Sequence, residues 1–304
     1  MKKKILISGG SGFLGKNLTK YLMNDERYDV SSFSSSELNL LNYESFNNLK
    51  TIKFDKIFHL AAWTQAGDFS LYNSGMQWIN NQLINSNILR WWHSEQPQAK
   101  LLSIGTSCSY DEKSSLKEEE YLIGSPIESL YTYGMCKRML HIGKMSLSKQ
   151  FGLKYLTTVP STLYGPNYEL SEKIPHFIFD LIKKIILGKK YNKEVELWGD
   201  GYQRRELVYV DDYIKQLLLL DENLENDICN IGAGEDHSIR DFAKLICKYV
   251  DYNFDLIKFN KDKYTGAKSK KLNTDKIKSL LPNYNKIKLN DGLEKTINFI
   301  SNNL

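Results

Sequence analysis

The sequence lacks the features on which membrane-spanning and secreted proteins depend. Its apolar runs, such as residues 217–220, are far shorter than the roughly 18 to 20 residues that cross a bilayer. It has only four cysteines, at positions 108, 136, 229 and 247, and no two of them form a Cys-x-x-Cys pair. The apolar stretch after the N-terminal lysines stops at Ser8, too early for a secretory signal. We therefore expect a reduced, cytoplasmic protein without a membrane partner.

A strong charge of one sign is missing as well. The 304 residues include 41 Lys and Arg against 36 Asp and Glu, which gives a net charge of +5. Residues 261–278 hold seven of the lysines, but only Tyr264 could stack on a nucleic-acid base there. His93, His141 and His237 have no partners at metal-ligand spacing. We therefore expect neither nucleic acid as a partner nor a bound metal.

Short apolar segments alternate with long helical patterns, and 41% hydrophobic residues are enough for a sizeable core. Four segments are predicted to be strands: residues 4–8, 56–62, 100–105 and 155–159. Helical stretches separate them, among them 77–92 and 133–151. This alternation predicts an α/β fold, a doubly wound parallel sheet with helices on both faces.

Three glycines follow the first predicted strand. Gly9, Gly12 and Gly15 form a Gly-x-x-Gly-x-x-Gly turn that leads into a predicted helix. The first glycine permits a tight turn, the second lets the backbone approach a pyrophosphate, and the third lets helix and strand pack closely. The phosphates would bind the free N–H groups at the start of the helix. The turn predicts a dinucleotide-binding (Rossmann) domain, against the alternative of a merely structural turn.

The pattern changes after residue 165 to shorter helices and strands, with Gly199 and Gly201 between them. We expect the Rossmann domain to span residues 1–165, with strands near 206–231 returning to it. Residues 166–304 would mainly form a smaller, substrate-binding domain.

The end of the second strand usually distinguishes NAD from NADP. A carboxylate there holds the ribose 2′-hydroxyl of NAD and repels the 2′-phosphate of NADP. Residues 31–36 are instead rich in serine, including Ser34, and the first acid is Glu37. Serine hydroxyls can bind a phosphate, although no Arg is present to neutralise it. NADP(H) is therefore slightly favoured over NAD(H).

Tyr133 and Lys137 are four residues apart on a predicted helix, so their side chains share one face. A phenol with a pKa of about 10 is a poor base at neutral pH, and a neighbouring ammonium favours its ionised form. Such a pair can move a proton on and off a sugar hydroxyl while hydride moves to or from the same carbon. The same spacing occurs in two other pairs: Tyr264/Lys268 and Tyr284/Lys288.

Position favours Tyr133 over the other two tyrosines. Only Tyr133 follows a strand that ends in hydroxyl residues, at 104–110, within the domain that has the glycine turn. Strand ends of this kind open into the crevice where parallel sheets bind ligands. Thr106 or Ser107 could therefore hydrogen-bond the reacting oxygen; alternatively, either hydroxyl caps a turn.

Motifs along most of the chain carry a family resemblance. They are the glycine turn at 9–15, Glu-Leu-Asn-Leu-Leu at 37–41, His-Leu-Ala-Ala at 59–62, Gly-Thr-Ser-Cys at 105–108, Tyr133/Lys137, Leu-Tyr-Gly-Pro at 163–166, Trp-Gly-Asp-Gly at 198–201, Arg-Glu at 205–206 and Val-Asp-Asp at 210–212. In these the chain resembles the extended short-chain dehydrogenases/reductases of the NAD-dependent epimerase/dehydratase family, and within it the GDP-L-fucose synthase-like nucleotide-sugar reductases and epimerases.

The resemblance implies a role for each matching residue. Tyr133 would give a proton to the C4 oxygen of the sugar, with Lys137 as its electrostatic partner and Thr106 as the hydroxyl that binds substrate. The residues implied at the cofactor are Gly9, Gly12, Phe13, Leu14, Gly15, Ser34, Leu40, Leu60, Ala61, Ala62, Asn81, Tyr133, Lys137, Pro160 and Ser161. Those implied at the substrate are Thr106, Ser107, Thr162, Trp198, Arg205 and Lys268, with Lys270 as an alternative to Lys268 at the diphosphate.

Epimerisation at C3 and C5 is less well supported by the resemblance than reduction at C4. The fucose synthases use a Cys and a His for it, and Cys108 matches the Cys. The stretch that should hold the His has Glu172 nearest the expected position and His176 about one turn later. Cys108 is therefore either a catalytic base or a small packing residue.

The resemblance thus implies an NAD(P)-dependent enzyme that reduces C4 of a GDP-linked 4-keto-6-deoxy sugar, for surface-polysaccharide precursors. It also implies a homodimer formed by the two long helices of each subunit. Two alternatives remain open: a nucleotide-sugar C4 epimerase that recycles tightly bound NAD, and a non-catalytic dinucleotide-sensing protein. The intact Thr106, Tyr133 and Lys137 argue against the second.

Overall fold

A large parallel sheet connects the N-terminal part of the chain with a segment of its C-terminal half. The computed structural model describes residues 1–170, 175–263 and 268–304. In chain order the strands are β1 (Lys3–Ser8), β2 (Tyr28–Phe33), β3 (Lys56–His59), β4 (Lys100–Ile104), β5 (Tyr155–Pro160), β6 (Thr162–Tyr164), β7 (Val195–Trp198), β8 (Arg204–Arg205), β9 (Leu207–Tyr209), β10 (Asp227–Ile231), β11 (His237–Ser238) and β12 (Ile257–Asn260). The α-helices are α1 (Phe13–Met23), α2 (Phe69–Tyr72), α3 (Ser74–Glu95), α4 (Tyr131–Phe151), α5 (Phe177–Tyr191), α6 (Val210–Asn223), α7 (Ile239–Val250), α8 (Asp275–Leu280) and α9 (Leu289–Ser301).

The large sheet has the strand order β2-β1-β3-β4-β5-β10, and every neighbouring pair is parallel. The order reverses at β1, because β2 lies on one side of it and the later strands lie on the other. A parallel sheet opens a ligand-binding crevice at such a point, outside the carboxyl ends of its strands. The predicted doubly wound α/β fold is confirmed.

Both faces of the sheet are covered, as β1 illustrates. Ile5 and Ile7 face a core cluster shared with α1 and α6, whereas Leu6 faces a cluster shared with α3. All three side chains are fully buried. Because alternate side chains of a strand point to opposite faces, a continuous apolar run is what a sheet buried on both faces requires.

The two long helices predicted at 77–92 and 133–151 are α3 and α4, which pack side by side. α4 ends at Gly152, whose φ of 71° lies in the left-handed region that favours glycine. In the part of the chain that the structure describes, no helix is long and apolar enough to span a membrane. Tyr133 and Lys137 lie in the first two turns of α4.

The C-terminal half contributes to a core of its own and also to the large sheet. Helices α5, α7 and α9 bury their apolar faces around β7 and β12. Helix α6 instead packs on the large sheet, and β10 pairs with β5 at the edge of that sheet. The strand expected around 229–231 thus joins the N-terminal sheet, whereas residues 207–209 pair with β6.

Candidate active site

The turn after β1 has the shape of a phosphate cradle. Gly9 has a φ of 76°, and a Cβ there would lie 2.8 Å from the backbone nitrogen of Ala61. A Cβ at Gly15 would overlap the carbonyl oxygen of Gly9, which explains the close approach of α1 to β1. α1 begins after Gly12 without a side-chain cap and without an acid in its first turn, so its N–H groups are open to an anion. These residues fit the pyrophosphate of a dinucleotide.

The start of α1 also contacts the C-terminal half. The Phe13 ring lies edge-on to Tyr168 and Phe179, with both centroid distances at 5.5 Å. Leu14 packs into the core cluster between α1 and the sheet. The Asn17 side chain donates to the carbonyl of Pro166 at 3.2 Å. The glycine turn is therefore held from both halves of the chain.

An acid lies just beyond the end of β2. The Glu37 carboxylate accepts hydrogen bonds from the backbone N–H of Ser34 at 2.8 Å and from its hydroxyl at 2.7 Å. These bonds hold the pKa of Glu37 below its usual value. A charged carboxylate is thus fixed against one of the serines predicted to bind the cofactor, which the separation in sequence did not show.

The segment after β3 is braced by a helix. Asn81 is 2% exposed and exchanges hydrogen bonds with the backbone N–H and carbonyl of Trp63, each at 2.9 Å. This fixes the chain just after Leu60, Ala61 and Ala62. At the end of β3 itself, the His59 ring bonds to the Ser8 hydroxyl at 2.9 Å. Burial, with the nearby Lys137 charge, lowers the pKa of His59 to about 3, so this ring is neutral.

Tyr133 and Lys137 form an unusual pair, because both are desolvated and no acid accompanies them. The Lys137 ammonium lies 5.7 Å from the centroid of the Tyr133 ring. Among the described residues, no acceptor hydrogen-bonds Lys137, and burial lowers its pKa to about 8. Burial, together with Cys108, raises the pKa of Tyr133 well above its usual value. The expected ionising effect of the ammonium is therefore outweighed, and Tyr133 keeps its proton at neutral pH.

The loop after β4 carries Thr106, Ser107 and Cys108. The Thr106 hydroxyl accepts from the N–H of Cys108 at 3.3 Å, so it caps a short 3₁₀ turn. Ser107 lies in that turn and is half-buried. Cys108 is the cysteine that remains partly exposed among the four. The hydroxyl and the thiol thus follow directly from the carboxyl end of β4.

Arg138 is a positioning residue that the sequence did not indicate. It is 5% exposed, and its guanidinium donates to the carbonyls of Ser109 at 2.9 Å and Gly124 at 2.7 Å. Gly134 completes the junction, since a Cβ there would lie 3.0 Å from the carbonyl oxygen of Cys108. These contacts fix the start of α4 to the loop after β4. No spacing in the sequence could have revealed them.

The carboxyl end of β5 provides further polar groups. Ser161 is 8% exposed, and its hydroxyl has no hydrogen-bond partner in the described part of the chain. Its N–H bonds to the carbonyl of Ile231 on β10 at 3.3 Å. Pro160 ends β5 and Thr162 begins β6. An orphaned buried hydroxyl fits a position that a bound nicotinamide would complete.

The residues expected at the substrate lie in the C-terminal half. Trp198 ends β7 and is 54% exposed, with the Lys184 ammonium 6.0 Å from its ring. Arg205 is half-buried on β8, and one guanidinium N–H donates to the carbonyl of Arg204. Lys268 is exposed, and its carbonyl accepts from the N–H of Arg204 at 2.8 Å. Lys268 is therefore held beside β8 by a backbone hydrogen bond to the residue that precedes Arg205.

The remaining residues singled out from the sequence include some with defined contacts and some outside the described residues. Leu40 is 5% exposed in the cluster beneath α3, and its carbonyl accepts from Asn87. The phenol of Tyr284 donates to Asp212 at 2.9 Å, which removes it as a rival to Tyr133. Tyr264 and Glu172 lie outside the described residues. His176 precedes α5 with its ring edge-on to Tyr168 at 6.5 Å.

A glycine cradle at the reversal point of a parallel sheet and a Tyr–Lys pair on the helix packed against the loop after β4 define a class. It is the Rossmann-type oxidoreductases that use a nicotinamide dinucleotide. Residues 5–232 match the NAD dependent epimerase/dehydratase family, and the chain belongs to this family.

Individual relatives agree with this assignment. The chain is 31% identical to a GDP-L-fucose synthase of Dictyostelium discoideum over 292 aligned residues. The alignment covers 92% of this chain and 90% of the relative. The chain is also 29% identical over 309 residues to a GDP-L-colitose synthase of Yersinia pseudotuberculosis, covering 98% of both. A solved GDP-6-OMe-4-keto-L-xylo-heptose reductase from C. jejuni superposes with a TM-score of 0.90 at 22% identity, covering 100% and 99% of the two chains. The predicted resemblance and the enzyme class are confirmed, with a nicotinamide dinucleotide as the family's cofactor.

Proposed function

We propose that the protein reduces the C4 ketone of a GDP-linked 4-keto-6-deoxy sugar. The observation that carries this proposal is the placement of Tyr133 beside Lys137 in the first two turns of α4, at the same end of the sheet as Thr106 and the glycine cradle. The names of the fucose and colitose synthases support a GDP sugar as the substrate class. A role in making surface-polysaccharide precursors is part of the same proposal.

Reduction of a ketone requires a hydride and a proton. A bound reduced nicotinamide would supply the hydride. Tyr133 would donate its phenolic proton to the C4 oxygen, and the Lys137 ammonium would stabilise the phenolate that remains. Thr106 would hydrogen-bond the same oxygen and orient it. Because Lys137 lacks an acceptor among the described residues, its N–H groups are available to hydroxyls of a bound ribose.

Two features act in opposite directions on cofactor choice. The serines after β2 offer hydroxyls to a 2′-phosphate, which favours NADP(H). The Glu37 carboxylate, held at Ser34, repels the same phosphate and suits the 2′-hydroxyl of NAD(H). We propose that NADP(H) is used with a slight preference and that Glu37 limits this preference.

The substrate side of the crevice would be formed by Thr162, Ser107 and the C-terminal residues Trp198, Arg205 and Lys268. The exposed Trp198 ring offers a face for a nucleotide base. Arg205 and Lys268 supply positive charge for a diphosphate.

A second subunit would cover an exposed apolar face of the two long helices. Trp78 and Leu83 on α3 are 42% and 45% exposed, and Met139 and Met145 on α4 are 40% and 41% exposed. Apolar side chains exposed in this density are typical of a protein–protein interface. We therefore propose a homodimer. An elution volume in size-exclusion chromatography that corresponds to 35.2 kDa would contradict it.

The test is mass spectrometry of the product in heavy water with NADPH and GDP-4-keto-6-deoxy-mannose. We expect NADPH to be consumed in proportion to a product whose mass has increased by reduction at C4. Unchanged substrate would reject this sugar as the substrate. Isomerised product without NADPH consumption would favour an epimerase that recycles bound NAD.

A further inference from the structure

One row of side chains on the large sheet is polar, whereas the row before it on the same face is apolar. On the face that α3 and α4 cover, four neighbouring side chains belong to the apolar core: Leu6, Ile57, Leu101 and Tyr155. Two residues further along the same strands, the four neighbouring side chains are polar and at most 2% exposed: Ser8, His59, Ser103 and Thr157. Burying polar groups costs free energy unless they are hydrogen-bonded. This polar row therefore needs partners, and its members on β4 and β5 find them on α4.

Lys144 of α4 makes most of these bonds. Its Nζ donates to the hydroxyls of Ser103 and Thr157, each at 2.5 Å, and to the carbonyl of Leu156 at 3.1 Å. The Lys144 side chain is fully buried. Its acceptors are two hydroxyls and a carbonyl, so the contact is a set of hydrogen bonds and not an ion pair. One side chain thus ties α4 to both β4 and β5.

The side of α4 that carries Lys144 also carries a residue of the candidate active site. Lys137, His141 and Lys144 are spaced at i, i+4 and i+7, which places them on one side of a helix. All three are at most 7% exposed. The His141 Nδ1 bonds to the Thr157 hydroxyl at 2.7 Å, next to the bond from Lys144. The helix side that presents Lys137 is therefore hydrogen-bonded to the sheet one to two turns further on.

Hydrogen bonds hold a helix more specifically than apolar contacts do. Apolar burial is non-directional, whereas a hydrogen bond requires a defined distance and direction. A buried and satisfied polar network therefore favours one arrangement of the elements that it joins. Seven residues separate Lys137 from Lys144, about 10 Å of one continuous helix. A shift or rotation of α4 at Lys144 would thus be passed on to Lys137 and Tyr133.

We infer that Lys144 is a positioning residue that fixes the register of α4 on the large sheet and so directs Tyr133 and Lys137 toward the substrate. Arg138 holds the start of the same helix to the loop after β4, and Lys144 fixes its position along the strands. The register concerns the fold alone, whereas its effect on catalysis rests on the proposed function.

The first test measures the register without substrate or cofactor. Hydrogen exchange of the peptide 131–140 is followed by mass spectrometry, and this peptide is identical in every protein compared. Lys144→Met removes the three bonds and keeps an unbranched side chain, so we expect the peptide to exchange about tenfold faster or more. Lys100→Met is the control, because it removes another buried lysine at the opposite end of the sheet and should leave this peptide unchanged. Equal exchange in wild type and Lys144→Met would overturn the inference.

The second test separates positioning from stability. With NADPH and the keto sugar, we expect Lys144→Met to lower kcat about tenfold or more while both KM values stay within about twofold. Lys100→Met should lower stability but keep the kcat of the folded protein. A folded Lys144→Met variant with wild-type kcat would refute the positioning role. A wild type that does not reduce the sugar would count against the proposed substrate, and the exchange rates would still decide on the register.

The third test removes the partner on β4. Ser103→Ala deletes a single hydroxyl and should lower kcat about threefold, which keeps the inference testable if Lys144→Met does not fold. If both residues act through their shared bond, the double variant should lose no more kcat than Lys144→Met alone. Losses that multiply would mean that Ser103 and Lys144 act separately, which would contradict a register set by this bond.

Discussion

The two ends of the large sheet differ in whether their buried lysines are paired with a carboxylate. At the amino end, Lys56 and Lys100 begin β3 and β4, and both ammonium groups pair with Asp221, whose side chain is fully buried. Lys100 lies 2.9 Å from the carboxylate and also donates to carbonyls at the end of α6. At the carboxyl end, Lys137 is 7% exposed and forms no ion pair with any acid in the described part of the chain.

Whether each of these buried lysines has a carboxylate partner decides whether it stabilises the fold or remains available to a ligand. A buried ammonium with a buried carboxylate and helix-end carbonyls is compensated, so it ties elements together. A buried ammonium without such a partner costs folding free energy, and its N–H groups remain available to a ligand. The amino end thus holds the sheet to α6, whereas the unpaired Lys137 ammonium at the carboxyl end is available for the proposed reaction.

Removing the acid at the amino end should have the largest effect. Asp221→Asn leaves two partly buried ammonium groups without their carboxylate, which should lower the free energy of unfolding by about 3 to 5 kcal/mol. Urea unfolding measures this loss. Activity per folded molecule should stay unchanged, because the proposed catalytic residues lie at the opposite end.

The matched control is the exposed pair Lys154–Glu225 at the same end of the sheet, with side chains 57% and 49% exposed. Glu225→Gln should change the free energy of unfolding by less than about 1 kcal/mol. If Asp221→Asn were as mild as this control, the compensated lysines would contribute no more than a surface pair.

Removing the uncompensated ammonium should have the opposite sign. Burial lowers the pKa of Lys137 from 10.5 to about 8, so below pH 8 the folded state holds a proton at a cost of about 3 kcal/mol. Lys137→Met should therefore raise the free energy of unfolding at pH 7 by up to that amount while abolishing activity. From about pH 8 to 10.5 the wild type releases this proton on folding, so its stability should approach that of the variant.

Unfolding curves at pH 7 and pH 10 give this difference, and Lys149→Met on the exposed side of α4 is the control. If the Lys137→Met variant were less stable than wild type at pH 7, groups other than a carboxylate would have to stabilise the buried Lys137 ammonium.

Tyr133→Phe should remove function without a matching change in stability. The phenol is the proposed proton donor, and loss of a general acid typically lowers kcat by about 100-fold or more, or about 2.7 kcal/mol. Tyr131→Phe is the control, because Tyr131 lies two residues earlier on the same helix and is 49% exposed. A Tyr133→Phe variant with more than a tenth of wild-type kcat would transfer the role to another group.

The elements at the carboxyl end of the sheet could be predicted from the sequence, because each motif there consists of residues that are close together in the chain. The glycine turn, the strand before Thr106 and the Tyr133/Lys137 spacing each lie within a few residues, and the periodicity predicted the helices that carry them. Local patterns also located the strand at 229–231, although its partner β5 is about 70 residues away.

The amino end was not predictable, since its three charges come from positions 56, 100 and 221. Arg138 was missed for the same reason, because its guanidinium bonds to carbonyls 14 or more positions away in the sequence. The raised pKa of Tyr133 also required the structure, because the sequence shows the ammonium that lowers a phenol pKa but not the burial that raises it.

Glu37 offers the smallest and most selective way to sharpen the comparison, because its carboxylate lies just beyond β2 at the same end of the sheet as the unpaired Lys137 ammonium. Its carboxylate is exposed and held at Ser34, so it would act on the 2′-position of the cofactor mainly through a screened charge. Glu37→Gln should raise the ratio of kcat/KM for NADPH over NADH by roughly threefold to tenfold. Glu26→Gln, near the start of the same strand, should leave the ratio unchanged. Since the two variants remove the same charge from opposite ends of β2, an equal response would mean that net charge, and not the position of Glu37, sets the preference.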